Sequence, residues 1–402
     1  MSALSSTASR RSDPGLGEDR SAKRMRGSGG PSQRTNALSA SEGLEAFEFD
    51  GAAALIRAWS RGLRPDPDLT VSSWADRHRK LASRASAEPG QYRTARTPYM
   101  REIMDRLSPG DPTQRIVFMK AAQVGATEAG NNWIGFVIHQ APGPMLAVQP
   151  TVELAKRNSR QRIDPLIDES PELRERVKPA RSRDAGNTML SKEFAGGILI
   201  MTGANSAVGL RSTPARYIFL DEVDAYPASA DEEGDPVTLA EARSLTFAHR
   251  RKVFLVSTPT IRGLSRIERE FEASDQRRYF VPCPHCDAMQ WLKFERLRWE
   301  KGRPETAEYL CEGCERPIAE HHKTRMLERG EWRAPATATD PTTVGYHLSA
   351  LYSPVGWLSW ARVARSWEAA QGSDEAIKAF RNTILGETWV ETGEAPDWQR
   401  LY

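Results

Sequence analysis

Tyr217-Ile-Phe-Leu-Asp-Glu222 places four consecutive apolar residues ahead of two adjacent carboxylates. An apolar run of this length, without polar alternation and rich in β-branched and aromatic residues, is the pattern of a strand buried on both faces of a parallel sheet. Acids directly after it stand at the carboxyl edge of the sheet, where α/β folds place nucleotide sites. One carboxylate there can hold Mg²⁺ and its neighbour can polarise an attacking water, so Asp221 is assigned to magnesium and Glu222 to general base. The competing reading is an Asp-Glu pair that only caps the next helix.

Upstream of Tyr217, Arg115–Met119 (RIVFM) predicts a strand, Thr127–His139 a helix, Met145–Val148 (MLAV) a strand and Val152–Ile167 a helix. Gly197–Met201 (GILIM) and Val253–Val256 (VFLV) are further short apolar strands. Strands alternating with helices imply a mostly parallel sheet covered on both faces, an α/β fold of the P-loop (RecA-like) NTPase kind. Between the first strand and its helix lies Lys120-Ala-Ala-Gln-Val-Gly-Ala-Thr-Glu128, in the position of a phosphate-cradling loop. The usual G-x-x-x-x-G-K-[ST] form is altered: Ala126 fills the lysine place and Lys120 stands at the first glycine, while Gly125 and Thr127 match. A flexible lysine stem can reach the β and γ phosphates of ATP from the other end of the loop. Thr127 would offer its hydroxyl to Mg²⁺, and the amides of Gln123, Val124, Gly125, Ala126, Thr127 and Glu128 would face the phosphates. Alone, the loop also reads as an ordinary strand–turn–helix link.

Ser257 and Thr258, in Val256-Ser-Thr-Pro-Thr260, are candidates to sense the γ-phosphate, or they form a plain strand-end turn. Phosphoryl transfer calls for a further cation. Arg211, Arg160 and Arg162 are the candidates, and each has a solvated or structural role as its alternative. Tyr99, upstream of the loop, is a candidate to stack on adenine, with core packing as the other reading.

Cys283-Pro-His-Cys286 and Cys311-Glu-Gly-Cys314 are the chain's four cysteines, arranged as two C-x-x-C turns. In a chain without a secretory signal this favours a closed, structural Zn²⁺ site over disulfides. His285, His321 and His322 are alternative ligands. Lys293, Arg296 and Arg298 could bring this ribbon to DNA, or the ribbon only staples a small insert.

The 402 residues carry a net charge of +3 with 27% charged, too mild a balance to mark a nucleic-acid binder, so any DNA contact must be local. Neither a membrane-spanning apolar run nor a secretory leader is present, and a cytosolic location is expected. Residues 1–40, poor in large apolar side chains, are expected to be a disordered arm. A helical N-terminal segment over 41–110 follows, then the ATPase core over 111–277, a zinc-ribbon insert over 278–320, and a Trp-rich helical C-terminal part over 321–402.

These elements resemble the large terminase subunit of lambda-type (GpA-like) phages. The stretches that carry the likeness are GQYRTARTPYMREIMD (90–105), KAAQVGATEAGNNWIG (120–135), GLRSTPARYIFLDEVDAYP (209–227), VSTPT (256–260) and the CPHC turn (283–286). The likeness as a whole covers roughly residues 70 to 395. The resemblance implies a homo-oligomeric ring of ATPase subunits at a capsid portal, driving double-stranded DNA into a preformed shell in the bacterial host cytoplasm, with a small terminase subunit as partner. Members of this family continue into a nuclease domain. This chain's end at Asp397-Trp-Gln-Arg-Leu-Tyr402 is where that domain is expected to begin, so nuclease activity is not expected of these residues. A helicase-like translocase shares the same strand-end residues but calls for a second RecA-like domain. A non-catalytic zinc-ribbon DNA binder has no use for Asp221-Glu222.

Overall fold

The computed structural model describes residues 51–63, 68–84, 86–177 and 187–391. The expected arm over 1–40 and the last residues, 392–402, lie outside the described residues. The chain divides into two compact units at Pro65/Asp66. In the first, Ala52–Gly62 forms α1, within the helical segment expected over 41–110, with Leu55, Ile56 and Trp59 exposed.

The second unit opens with α2 (Val71–His78), a short hairpin of β1 (Lys80–Leu81) with β2 (Gly90–Gln91), and α3 (Met100–Arg106). Then strands and helices alternate: β3 (Arg115–Lys120), α4 (Ala126–His139), β4 (Met145–Gln149) and α5 (Val152–Asn158). A π-turn over Ser159–Ile163 joins α5 to α6 (Asp164–Glu169), so the predicted helix over 152–167 is continuous but widened in its middle. After α7 (Pro171–Arg176) come β5 (Ser191–Phe194), β6 (Gly197–Gly203), α8 (Ala207–Arg211) and β7 (Tyr217–Asp221). They lead to α9 (Pro236–Glu241), β8 (Lys252–Ser257), α10 (Arg266–Glu272) and β9 (Arg277–Pro282).

One ten-stranded sheet organises this unit, and its seven consecutive strands β9, β15 (Thr343–Leu348), β3, β8, β7, β4 and β6 run parallel. Antiparallel β5 closes one edge; β10 (Met289–Trp291) and β14 (Glu331–Arg333) both pair with β9 at the other. The uniform apolar runs predicted burial on both faces, and every residue of β4, β7 and β8 is buried. Successive side chains alternate between two cores. Phe118, Phe219 and Phe254 meet Trp133 of α4 on one face, while Val117, Ile218, Leu220 and Leu255 meet Ile267 and Phe271 of α10 on the other. Helix α4 comes close to the sheet because Gly130 has no side chain: a Cβ there would lie 2.1 Å from the Phe219 ring.

Two expected boundaries move. The ribbon is not a separate insert at its start, because β9 and β10 extend the main sheet; only β11 (Leu297–Glu300), β12 (Arg303–Leu310) and β13 (Pro317–Ile318) form a small sheet of their own. The region after 321 is not purely helical. It holds α11 (Lys323–Glu328), α12 (Trp360–Ala370) and α13 (Asp374–Phe380), but also β14 and the central strand β15. TVGYHL lacks the aliphatic run that marks the other strands. Its burial comes from distant partners: Tyr346 donates its hydroxyl to Glu102 at 3.0 Å, and His347 Nε2 donates to the Gly386 carbonyl at 2.9 Å. The tryptophans of this region mostly pack: Trp360 is fully buried, and Trp367 meets Phe294 and Phe380 with ring centroids 5.1 Å apart in each pair.

Gly345 sits in β15 where a Cβ would fall 1.8 Å from Ser274 Oγ and 2.6 Å from its Cβ. Gly345→Ala is therefore expected to lower unfolding free energy by about 1–3 kcal/mol through overpacking. Gly110→Ala, with nothing within 4 Å, should stay within about 0.5 kcal/mol of the parent. Denaturant titration of the two variants checks the contrast.

Candidate active site

The order β3–β8–β7 brings three strand ends side by side, with Met119 level with Ser257 and Asp221 level with Val256. Lys120 ends β3 and is buried. Its Nζ donates to Glu222 Oε1 at 2.5 Å and to Thr258 Oγ1 at 3.0 Å. After it the chain turns through two left-handed residues, Gln123 (φ 57°) and Gly125 (φ 93°), and Gly125 caps α4. Gly125 fits because its φ lies where side chains are disfavoured. The first amides of α4 have no intrahelical partner and carry the positive end of the helix dipole.

Asp221 is the most constrained group. Its Oδ2 accepts from Thr127 Oγ1 at 3.3 Å and Gln149 Nε2 at 3.2 Å, while its Oδ1 is buried with no hydrogen-bond partner. Burial first, and then the neighbouring Glu222 charge, push its carboxyl up to about 6, against the pull of Lys120. An orphaned, buried carboxylate oxygen beside a threonine hydroxyl is a donor set suited to a hard cation such as Mg²⁺. Glu222 takes a left-handed backbone conformation (φ 54°, ψ 55°), and its Oε2 accepts the Thr258 amide at 3.2 Å and the Ser257 hydroxyl at 3.5 Å. Ser257 Oγ also accepts the Asp224 amide at 3.1 Å, which ties the tip of β8 to the turn after β7.

A cavity of about 800 Å³ opens over these groups. Lys120, Thr127, Glu222 and Thr258 line its floor and the loop residues Gln123, Val124, Gly125, Ala126 and Glu128 its side; Glu88, Trp357 and Arg362 reach it from elsewhere. Trp357 Nε1 donates to Glu88 Oε1 at 2.7 Å, and Arg96 braces the pair with its guanidinium 5.6 Å from the Trp357 ring centre and 2.8 Å from Glu88. Local sequence gives no sign of this rim, because its members come together only through tertiary contacts. Gln149, directly after a predicted strand, carries a signal that could have been read from its position.

Three of the predicted residues lie elsewhere. Tyr99 is fully buried under the loop, with its hydroxyl 3.3 Å from the Val124 carbonyl and its ring edge-on to Tyr279; it does not line the cavity, so the base-stacking role is corrected to packing. Arg211 is ion-paired with Glu233 away from the cavity, and Arg160 lies against Met189. Arg162 does line the cavity and pairs with Glu128 at 3.1 Å; Arg79 holds the same carboxylate at 3.2 Å. Arg160 and Arg162 diverge because residues two apart on a helix point to different faces.

The four cysteine sulfurs lie within 4.8 Å of one another. Cys286 and Cys311 are 3.8 Å apart and Cys283 and Cys314 4.0 Å, far beyond a disulfide bond of about 2.05 Å. A tetrahedral centre with bonds of about 2.3 Å has edges of about 3.8 Å, so the four fit one metal ion. The His285 amide points at the Cys283 sulfur and the Gly313 amide at the Cys311 sulfur, at 3.4 and 3.3 Å, a polarity that favours thiolates. His285 instead meets the Pro317 carbonyl at 3.0 Å, and neither it nor His321 or His322 joins the cluster. Lys293 pairs with Glu312 and Arg296 with Glu315, while Arg298 donates to the Glu295 carbonyl; all three are engaged within the ribbon.

Residues 86–332 match the family model for the ATPase domain of the phage terminase large subunit gpA. The chain belongs to this family. Residues 343–402 match the endonuclease domain of the gpA large subunit, which corrects the expectation that the chain ends before that domain begins. The second match opens on β15, a strand of the same parallel sheet as Lys120. The chain is 28% identical over 361 residues to the terminase large subunit of Enterobacteria phage P21, covering 83% of this chain and 55% of that protein. It is 28% identical over 367 residues to that of Escherichia phage lambda, covering 85% and 56%. The chain thus spans about half the length of the curated relatives it matches. Among solved structures, the large terminase ATPase domain of Thermus phage P74-26, in a variant form, aligns with a TM-score of 0.42 at 13% identity over 77% of this chain and all of that one.

Proposed function

We propose that this chain is the ATP-hydrolysing motor of a terminase large subunit and uses ATP to move double-stranded DNA into a procapsid. The observation that carries this is the buried, unpartnered Asp221 Oδ1, whose carboxylate is held by Thr127, with Thr127, Lys120 and Glu222 on the floor of one cavity. In this reading Asp221 and Thr127 hold Mg²⁺, which would supply charge neutralisation at the phosphates. Lys120 and the amides of residues 123–128 bind the phosphate chain in a P-loop-like cradle. Glu222 and Lys120 neutralise each other at 2.5 Å; an incoming γ-phosphate competes for Lys120 and leaves Glu222 to accept the proton of the attacking water. Ser257 and Thr258, bonded to Glu222, feel that exchange. Arg162, on the cavity wall, replaces Arg211 as the favoured extra cation, and the Trp357–Glu88 rim replaces Tyr99 at the base.

The cysteine cluster is assigned to Zn²⁺ as a structural staple, without an open position for chemistry. Double-stranded DNA, a small terminase subunit, a capsid portal and a homo-oligomeric ring are the expected partners, acting in the host cytoplasm. No described helix is long and apolar enough to cross a membrane. Among the described residues only the four cysteines group three or more metal-ligating side chains.

Glu222→Gln should leave nucleotide affinity near the parent value while cutting ATP turnover by about 10²-fold or more, and Lys120→Ala should weaken both. Steady-state turnover with nucleotide titration reads both effects; parent-like turnover in Glu222→Gln removes it as the base. Stimulation by double-stranded DNA is expected, whereas stimulation by single strands alone points to a helicase-like translocase.

Metal analysis of the purified chain should find one Zn²⁺ per subunit, lost in Cys283→Ser. Chelation should raise hydrogen exchange across 283–318 while nucleotide binding persists, because the site folds the ribbon and not the parallel sheet. Loss of nucleotide binding on chelation would mean that the ribbon braces the active site.

A further inference from the structure

The stretch Arg381–Trp389 has no part in the chemistry above, yet it is bonded to two walls of the active site at once. A π-turn over Arg381–Leu385 ends at Gly386, which is left-handed (φ 65°, ψ 33°). On the loop side, the Thr383 carbonyl accepts the Ala122 amide at 2.7 Å, and the Ala121 amide donates to the Leu348 carbonyl at 2.8 Å. Gly386 is pressed into the same place: a Cβ on it would lie 2.7 Å from Ala121 N and 2.8 Å from the Lys120 carbonyl carbon. His347 holds the Gly386 carbonyl from below at 2.9 Å. On the β8 side, the Trp389 amide donates to the Thr260 carbonyl and the Arg262 amide to the Trp389 carbonyl, both at 2.9 Å. Thr388 donates its hydroxyl to Glu268 at 2.5 Å, fixing this end to α10.

Thr260 is two residues past Thr258, the partner of Lys120, and Ala121 directly follows Lys120. The segment therefore spans from the lysine that meets the phosphates to the strand tip that holds the general base. We propose that Thr383–Trp389 is a positioning clamp that sets the spacing between Lys120 and the Thr258–Glu222 pair. The proposal rests on the nucleotide-site reading given above. None of these residues is assigned contact with reacting atoms; they act through Lys120, Thr258 and Glu222. Displacing a reacting group by about 1 Å from a distant site can lower turnover about 10²-fold, which sets the scale of the effect.

Gly386 answers two demands, a left-handed φ and the absence of a Cβ, and two substitutions separate them. Asparagine tolerates the left-handed region far better than alanine, but both bring a Cβ against Ala121. The full chain, Gly386→Ala and Gly386→Asn are compared in ATP turnover, affinity for a non-hydrolysable ATP analogue, and hydrogen exchange without nucleotide. Both variants should lose about tenfold or more in kcat while analogue affinity stays within about threefold. Exchange should rise together over 120–126 and 257–262. A folded Gly386→Ala with parent turnover and exchange overturns the clamp, as does a Gly386→Asn that behaves like the parent, or exchange that rises only over 381–391. Should the glycine variants fail to fold, Thr388→Val removes only the hydroxyl anchor. It should lower kcat about threefold with faster exchange over 257–262, and parent values there overturn the proposal. A parent chain that neither binds the analogue nor turns over ATP sinks the nucleotide-site reading instead, and the exchange comparison still judges the clamp.

Discussion

Asp221 carries a carboxylate to the end of a strand whose every residue is buried, and the groups around it answer the demand this creates. A buried acid without partners is driven toward its neutral form. Here Gln149 and Thr127 satisfy one oxygen, Lys120 lies close enough to offset the charge, and the other oxygen is left open. Glu222, the next residue, adds repulsion and is turned away by its left-handed backbone onto Lys120 and the tip of β8. Two acids in sequence thus occupy different environments, one enclosed and one facing the cavity, and this difference allows them different roles.

The parallel sheet serves this arrangement by register. Placing β8 between β3 and β7 brings Lys120, Asp221 and Ser257 to one edge although about a hundred residues separate the first two in sequence. Most of this was legible, because IVFM, MLAV, YIFL and VFLV are uniform apolar runs of strand length. The place of the loop after Lys120 was legible for a related reason: the strand before it and the helix after it fix where the loop must lie, whatever letters fill it.

What escaped the sequence depends on contacts between distant segments. Strand β15 was missed because TVGYHL owes its burial to β3, Glu102 and Gly386 and not to its own hydrophobicity. Tyr99 stands close before the loop in sequence, but α3 tucks it beneath the loop, whereas Trp357, far downstream, reaches the cavity. Arg160 and Arg162, two residues apart on a helix, face different surfaces, and only Arg162 reaches the cavity. The ribbon's cysteine spacing announced a cluster of four sulfurs, yet not that its first strand would extend the main sheet.

In the proposed reading, the open oxygen of Asp221 belongs to a cation bound with nucleotide phosphates. A crystal structure of the chain with a non-hydrolysable ATP analogue and Mn²⁺ tests it most directly, since Mn²⁺ gives an anomalous signal where Mg²⁺ would sit. An anomalous peak joined to Asp221 and Thr127 directly or through one water is expected, with the γ-phosphate within hydrogen-bond reach of Lys120. Phosphates bound in another cavity, or a peak remote from Asp221, would contradict it.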